Sequence, residues 1–459
     1  MDRTIALKIN KSFKCEVLVI GGGVAGISAA VCAAREGADV MLCEQGGCLG
    51  GTASQGLVGP FMSAFDPTGD HQVIKGFMDE FVLRMAEKSG AVHPKDCPGG
   101  DGHSAYRIRG HIGVTPFDPE CLKFTAEEVC EEAGVRLLYQ MFFVSCEKND
   151  DGKITAAFFA TKDGVYEVKA DVFIDCTGDA DVAVASGAPF VYGDENGVTQ
   201  VSSVFFMVDN INKEELQKHI DKYPESTNLR QRYLEDIVEE EQKKGTFPCG
   251  RSRVSVFESV NGMWRVNMTQ YDKKAVLTEP ECITDAAITC RKQIMPLMAF
   301  LRKNVPGFEN VRYLRSADVL GIRESRRIIG EKTLTIDDMT SGAHFEDAIC
   351  TVGSAVDFHA SQKKDGSYDG KYYVTGSSSV EIPYGALLPK NIQNLIVAGR
   401  CLSADQLAHS AVRVMPPCFA MGQAAGVAAS IAVEEGSSVK NIDLAEFHEK
   451  LVKGNVYFE

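Results

Sequence analysis

Residues 15–45 read CEVLVIGGGVAGISAAVCAAREGADVMLCEQ, and this stretch decides the fold. The run Val17-Leu18-Val19-Ile20 has the composition of a strand buried on both faces. Gly21-x-Gly23-x-x-Gly26 follows, then an Ala-rich helical segment to Arg35, a turn at Gly37, and a second apolar run from Asp39 to Cys43 ending in Glu44. This is a βαβ unit built to hold a dinucleotide. Gly21 makes the tight turn, Gly23 lets backbone approach a pyrophosphate, and Gly26 lets helix and strand pack closely. The helix N-terminus offers unpaired N–H groups and a positive dipole end to phosphates. Glu44 stands where the fingerprint requires an acceptor for ribose hydroxyls.

Outward from this unit, 459 residues allow two or three domains and a large core. A net charge of −15 argues against binding a phosphate backbone, so no nucleic-acid partner is expected. MDRTIALKINKSFK is mixed and polar, unlike a charged-then-apolar leader, and the apolar stretch 420–433 is too short and interrupted to cross a bilayer. No membrane partner is expected. The fifteen cysteines lack CxxC or Cys/His metal spacing, which reads as reduced thiols, no metal site and a cytoplasmic protein.

Along the chain, Gly46 to Ala53 forms a glycine-dense loop suited to cofactor contact, with Cys48 as a small residue within it. Residues 72–90 carry Val73, Phe77, Phe81 and Met85 on one helical stripe. The stretch 93–115 reads as a long loop in which His93, His103 and His111 could line an entrance. Asp118-Pro119 starts a helix ending near Gly134. Strand-like runs follow at 135–138, 142–146, 154–161 and 165–168, the last three spaced by Asp-Gly turns as an antiparallel meander. Val172–Asp175 is a buried strand leading into Cys176-Thr177-Gly178-Asp179-Ala180-Asp181 and a helix.

Strands are expected at 200–208, 252–258 and 263–270, the latter two joined at Asn261-Gly262. Charged helices are expected between Asn212 and Lys244, a helix over 284–303, and one more strand between Val311 and Leu320. Asn394 to Arg400 repeats the strand–glycine pattern, and Arg413 to Gly426 opens a helix of small residues.

These blocks carry a resemblance: VLVIGGGVAGISAA, CEQ and LGGTAS, FIDCTGDADVAVASGAP (173–189), GIRESRRIIGEKTLT (321–335), AVDFH (355–359), IPYGALLPKNIQNLIVAGRCLSA (382–404) and RVMPPCFAMGQAAG (413–426). In this order they resemble the FAD-dependent oxidoreductase family of two-dinucleotide-binding-domain flavoproteins, related in fold to glutathione reductase and the succinate dehydrogenase flavoprotein. The resemblance implies an α/β protein: a Rossmann-like FAD-binding domain of parallel sheet and β-meander, with an inserted β-rich and helical substrate domain. The FAD-binding parts are expected at 1–62, 116–190 and 381–459, a helical and loop insertion at 63–115, and the substrate (cap) domain at 191–380.

Non-covalent FAD is the implied cofactor; nothing favours attachment through His71, Cys48 or Cys401. By resemblance, Gly21, Gly22, Gly23, Val24, Ala25 and Gly26 hold the pyrophosphate, while Glu44 with Gln45 holds the adenosine ribose. Gly50, Gly51 and Thr52 lie towards the flavin, and Val144 offers its backbone to adenine. Thr177, Gly178 and Asp179 return over the cofactor; Gly399 and Arg400 lie near the ribitol. Arg413 and Val414 open a helix, running through Gln423 and Ala424, that aims its N-terminus at the flavin pyrimidine. Many relatives read Ser-Ala-Thr-His where this chain has Ser403-Ala404-Asp405-Gln406, so a role for that histidine does not carry over; His409 stands nearby.

Chemistry is expected from blocks not needed for FAD. Arg323, Arg326 and Arg327, if helical, would share a face suited to an anionic or oxygen-rich substrate, or else pair with Glu324 and Asp318. Asp357-x-His359 would place a carboxylate beside an imidazole on one face of a strand, an acid/base pair. His409 and Tyr384 are alternates. The expected activity is hydride transfer between flavin N5 and a small organic substrate, with an unidentified electron donor or acceptor and a possible homo-oligomer. The alternatives are a reduced-flavin enzyme acting on a macromolecule such as tRNA, and a flavin electron-transfer subunit with a separate redox partner.

Overall fold

The computed structural model of the chain describes residues 6–66, 70–97, 113–221, 232–251, 254–353, 356–359 and 379–459. After β1 (Ile9–Lys14) come β2 (Val17–Ile20), α1 (Val24–Arg35) and β3 (Val40–Cys43), the expected unit. Every residue of β2 and β3 is buried. α2 (Phe77–Glu87) begins later than the periodicity predicts, because Gly76 at φ 63° and ψ −136° interrupts the chain before it. In α3 (Pro119–Glu132) the Asp118 carboxylate accepts from the Glu120 N–H and proline occupies the first turn.

β4 (Arg136–Leu138), β5 (Phe142–Lys148), β6 (Ile154–Thr161), β7 (Gly164–Lys169), β8 (Val172–Asp175), α4 (Asp181–Ala185) and β9 (Phe190–Tyr192) follow. The middle of the chain holds β10 (Phe206–Asp209), α5 (Lys213–Asp221), α6 (Arg232–Lys243), β11 (Val256–Glu258), β12 (Trp264–Val266), α7 (Pro280–Asn304) and β13 (Arg312–Ser316). Then come β14 (Arg326–Ile328), α8 (Ile336–Ser341), β15 (Ala348–Val352), β16 (Val380–Pro383), β17 (Leu395–Val397), α9 (Gln406–Val412), α10 (Met415–Glu435) and α11 (Leu444–Lys453).

The central sheet is parallel, in the order β17-β8-β2-β3-β4. Its ends come from distant sequence, as right-handed crossover units allow. The meander β5-β6-β7 forms as expected, and β1 adds to it parallel to β7. That strand escapes sequence reading because its residues are nearly all exposed and show no alternation. A third sheet, β11-β12-β10-β13, is antiparallel, and Asn261 (φ 62°) with Gly262 (φ 74°) turns its hairpin. Its strands are shorter than predicted: residues 200–205 precede β10 with only isolated bridges from Ser202 to Tyr271 and from Ser203 to Gly321.

α10 packs along α1, and glycines make the approach possible. A Cβ on Gly422 would collide with the Ala25 carbonyl, and one on Gly426 with that of Ala29. Ser28 Oγ donates to the Phe419 carbonyl at 2.7 Å. At 21 residues α10 is longer than the 420–433 stretch suggested and apolar enough to span a bilayer, but 94% of its apolar window is buried inside the protein. A second apolar cluster, around Trp264, Leu297 and Phe308, lies beneath the third sheet.

Candidate functional site

One cavity of about 480 Å³ joins the glycine turn to the third sheet. Its first end is lined by Gly21, Gly23, Val24, Ala25, Glu44 and Gln45. Gly21 sits at φ 102°, against the Cys176 carbonyl. A Cβ at Gly23 would meet nothing within 4 Å, so this backbone faces open space; a Cβ at Gly26 would collide with the Gly21 carbonyl. The three glycines thus divide as expected between turn, ligand approach and helix packing. Glu44 is buried at the tip of β3. Its carboxylate accepts the N–H of Gly22 and of Gly46, each at 2.6 Å. Burial pushes its pKa up, and those two bonds partly offset the rise.

Gly22 and Gly50 do not line the cavity: Gly50 donates to the Gly22 carbonyl at 2.8 Å, fastening the 46–53 loop to the turn. Gly51 and Thr52 line it. Val144 does not. It sits at an irregularity in the β5–β6 register with its side chain half exposed, and Met141, Phe142 and Phe143 reach the cavity instead.

The 176–181 loop forms the next wall. Asp175, fully buried, accepts from Thr177 N and Oγ1 and from Val182 N and Ala183 N at 2.7–3.0 Å, folding the loop around its carboxylate. Burial raises its pKa and those donors oppose the rise. Asp179 accepts from Arg400 at 2.8 Å and from Ser325, joining the loop to the Gly399-Arg400 turn. Asp181 is pushed up to about 6 by burial and by Asp175 and Asp179, against the pull of Arg326.

Arg326 donates to Asp181 and to the Asp179 carbonyl and does not line the cavity. The helical premise for the three arginines therefore fails, since Arg326 and Arg327 lie in an extended strand, β14. Arg327 is buried against Glu324; Asp318 pairs with Arg315 instead. Only Arg323 of the three faces the cavity.

α10 begins with Val414 as N-cap and prolines in its first turn, and Arg413, Val414, Met415 and Cys418 line the cavity. The Cys418 thiol donates to the Arg413 carbonyl at 3.3 Å and burial pushes it up to about 12. Gln423 and Ala424 are too far along the helix to reach the cavity: Gln423 accepts from Phe77 N and donates to the Gly454 carbonyl, and Ala424 is core.

The opposite end gathers Arg251, Arg323, Arg413, Asp357 and His359. His359 Nε2 lies 3.0 Å from Asp357 Oδ2, although residues 357–359 are not a strand. Arg251 Nη1 lies 3.1 Å from His359 Nδ1. An arginine only donates, so Nδ1 accepts and the single ring proton sits on Nε2, directed to Asp357. Arg413 donates to the Asp357 carbonyl at 3.1 Å and to Gln200 Oε1 at 3.3 Å. Arg323 donates to the Val201 carbonyl at 2.6 Å. Burial, with Arg251 and Arg413 close by, brings its pKa down to about 9. Arg251, Gln200 and Asn267 were not visible in the sequence as site residues, because only the fold brings residues 200, 251 and 267 to 323 and 359.

Burial lowers His359 from 6.5 to about 3, outweighing the attraction of Asp357. Between those values the unfolded chain binds a proton that the folded chain refuses, so stability falls as pH drops through this window. We expect His359→Asn to flatten the fall of melting temperature between pH 6.5 and 4, removing a slope worth on the order of a few kcal/mol. Equal slopes in thermal melts would contradict it.

The alternates lie elsewhere. His409 is buried and its Nε2 pairs with the Arg400 carbonyl at 2.8 Å; Tyr384 donates to the Val439 carbonyl at 2.8 Å. Neither lines the cavity. Gln406 donates to Val198 O and Glu324 Oε2. His93 is buried against Asp79 rather than at an entrance, while His103 and His111 lie outside the described residues. His71, Cys48 and Cys401 do not line the cavity.

A family model described as FAD dependent oxidoreductase matches residues 16–451. No curated protein matches the chain. Similar solved structures include a geranylgeranyl bacteriochlorophyll reductase-like protein from Thermoplasma acidophilum, 13% identical, covering 97% of this chain and 84% of that one at a TM-score of 0.47. Another is p-nitrophenol 4-monooxygenase from Pseudomonas putida DLL-E4, 13% identical, covering 95% and 84% at 0.48. A flavin-dependent brominase, in a triple-mutant form, is 13% identical and covers 96% and 85% at 0.46.

Proposed function

Since the chain belongs to the FAD-dependent oxidoreductase family, we propose that it passes a hydride between flavin N5 and a small anionic organic substrate held by Arg251, Arg323 and Arg413. The carrying observation is that these three arginines and the Asp357–His359 pair open onto the same cavity as the Gly21–Gly26 turn and Glu44. FAD, when bound, supplies a two-electron redox centre. The N–H groups of Val24 and Ala25 and the bare backbone of Gly23 suit its pyrophosphate, and the fixed Glu44 carboxylate suits ribose hydroxyls. The N-terminus of α10 suits negative charge on the ring.

The remaining chemistry belongs to the chain. A carboxylate on the substrate takes N–H bonds from the arginines, which fix its orientation. As Arg251 turns to that anion, His359 Nδ1 is released. In the oxidative direction the substrate gives up a hydride, and Nδ1 takes the proton left on the neighbouring oxygen or nitrogen, with Asp357 stabilising the imidazolium. In the reductive direction the same imidazolium returns the proton. A second electron donor or acceptor restores the cofactor.

The test is a titration of the FAD-loaded protein with acetate and propionate while its visible spectrum is followed. We expect a saturable shift, at least about tenfold weaker in Arg413→Met. An unperturbed flavin, or equal titrations, would contradict an anion site.

A further inference from the structure

We infer that the substrate is an amphipathic monoanion, with one carboxylate at the arginine end and an apolar body against the third sheet. This rests on the anion site proposed above and names what lies beyond it. Asn267 is the hub of the polar end. Its carbonyl accepts from Arg251 Nη2 at 2.8 Å, and its side-chain oxygen accepts from Arg323 Nη2 and Ser203 Oγ, each at 3.3 Å. Its N–H reaches the Ser255 carbonyl at 2.9 Å.

From this hub, three chain segments run the same way, and each passes from a polar to an apolar side chain. Ser203 gives way to Phe205, Ser255 to Phe257, and Arg323 to Leu320; all six line the cavity. Residues two apart on an extended chain share a face and advance by about 6–7 Å, which relates Ser203 to Phe205 and Ser255 to Phe257; Leu320, three residues from Arg323, follows the bends at Asp318 and Val319. The hydrogen bonds fix the alignment. Arg323 reaches the Val201 carbonyl, Gly321 N donates to Ser203 O at 2.8 Å, and Ala317 N donates to Phe205 O at 2.8 Å. Residues 323 to 317 therefore run antiparallel beside 201 to 205, with the cation at one end and the apolar side chains at the other. Phe205, Phe257 and Leu320 are 5%, 3% and 7% exposed and also belong to the second apolar cluster, so the wall is dry and fixed.

A second carboxylate on the substrate would meet this wall. Arg265 pairs across the sheet with Phe257, but it does not line the cavity. It donates to the Leu57 carbonyl and Ser259 Oγ and lies over the Phe117 ring at 4.3 Å. An apolar group gains there what a charge would lose.

The test uses the full-length, FAD-loaded protein and calorimetric titration with three matched probes: 4-phenylbutyrate, glutarate and 4-phenyl-1-butanol. We expect 4-phenylbutyrate to bind at least about tenfold more tightly than either of the others. Phe257→Ser should remove most of that advantage while leaving glutarate unchanged; Arg323→Met should weaken both acids. Flavin absorbance reports that each variant is folded and loaded; if Phe257→Ser is not, Ile283→Ser serves, since Ile283 also lines the cavity and packs against the second apolar cluster. Equal binding of the two acids overturns the apolar-body inference and leaves the anion site standing. Binding of the alcohol as tight as the phenyl acid overturns the carboxylate end. If neither acid binds, both the inference and the anion site fall.

Discussion

Gly26→Val is expected to abolish FAD binding and most of the recoverable folded protein. A side chain there would collide with the Gly21 carbonyl and crowd Cys176 Cβ. α1 would have to move off β2, but its other side is closed, since Gly422 and Gly426 of α10 leave no room before the Ala25 and Ala29 carbonyls. Overpacking typically costs about 1–3 kcal/mol, and more where backbone must move, against a net stability of roughly 5–15 kcal/mol. Gly23→Val provides the contrast. Gly23 has φ −68° and open space around its Cβ position, so this variant should melt like the parent and lose only the cofactor. Flavin absorbance and denaturant midpoints read the two apart. Equal loss of both properties in the two variants would contradict the division of labour among the glycines.

The second large effect is Arg323→Met. Arg323 is buried, and it donates to neutral groups, the Val201 carbonyl and the Asn267 side chain. A buried cation with no ion-pair partner carries a desolvation cost that an apolar side chain of similar length does not. Folding should therefore be unchanged or slightly improved, with FAD retained. Loss of a buried charge-assisted contact to substrate typically costs about 2–5 kcal/mol, so substrate-driven flavin reduction should fall by about 30- to 5000-fold. Thermal melts and anaerobic single-turnover kinetics check the two halves. A destabilised variant with normal turnover would make Arg323 a structural residue.

The strand–helix–strand unit was legible because tight turn, helix entry and terminal acid lie within 31 consecutive residues, 15–45, and each glycine has its own steric reason. The meander was legible from its turns. Residues of β1 carried no pattern, because an edge strand with both faces wet needs none. The arginine triplet misled for a related reason: helical spacing was assumed, whereas β14 sends Arg326 to the Asp179–Asp181 loop and Arg327 to Glu324. The Asp357–His359 pairing was visible as spacing. Arg251 on the other ring nitrogen was not, since it comes from 108 residues away.

The most direct measurement is anaerobic photometry of the FAD-loaded protein against a panel of small organic acids, their alcohols and their amides, with oxidised and photoreduced cofactor in parallel. At least one carboxylate-bearing compound is expected to bleach or reoxidise the flavin, its neutral amide is not, and Arg323→Met is expected to slow the change. Turnover of neutral compounds at equal rate, insensitive to Arg323, would contradict this.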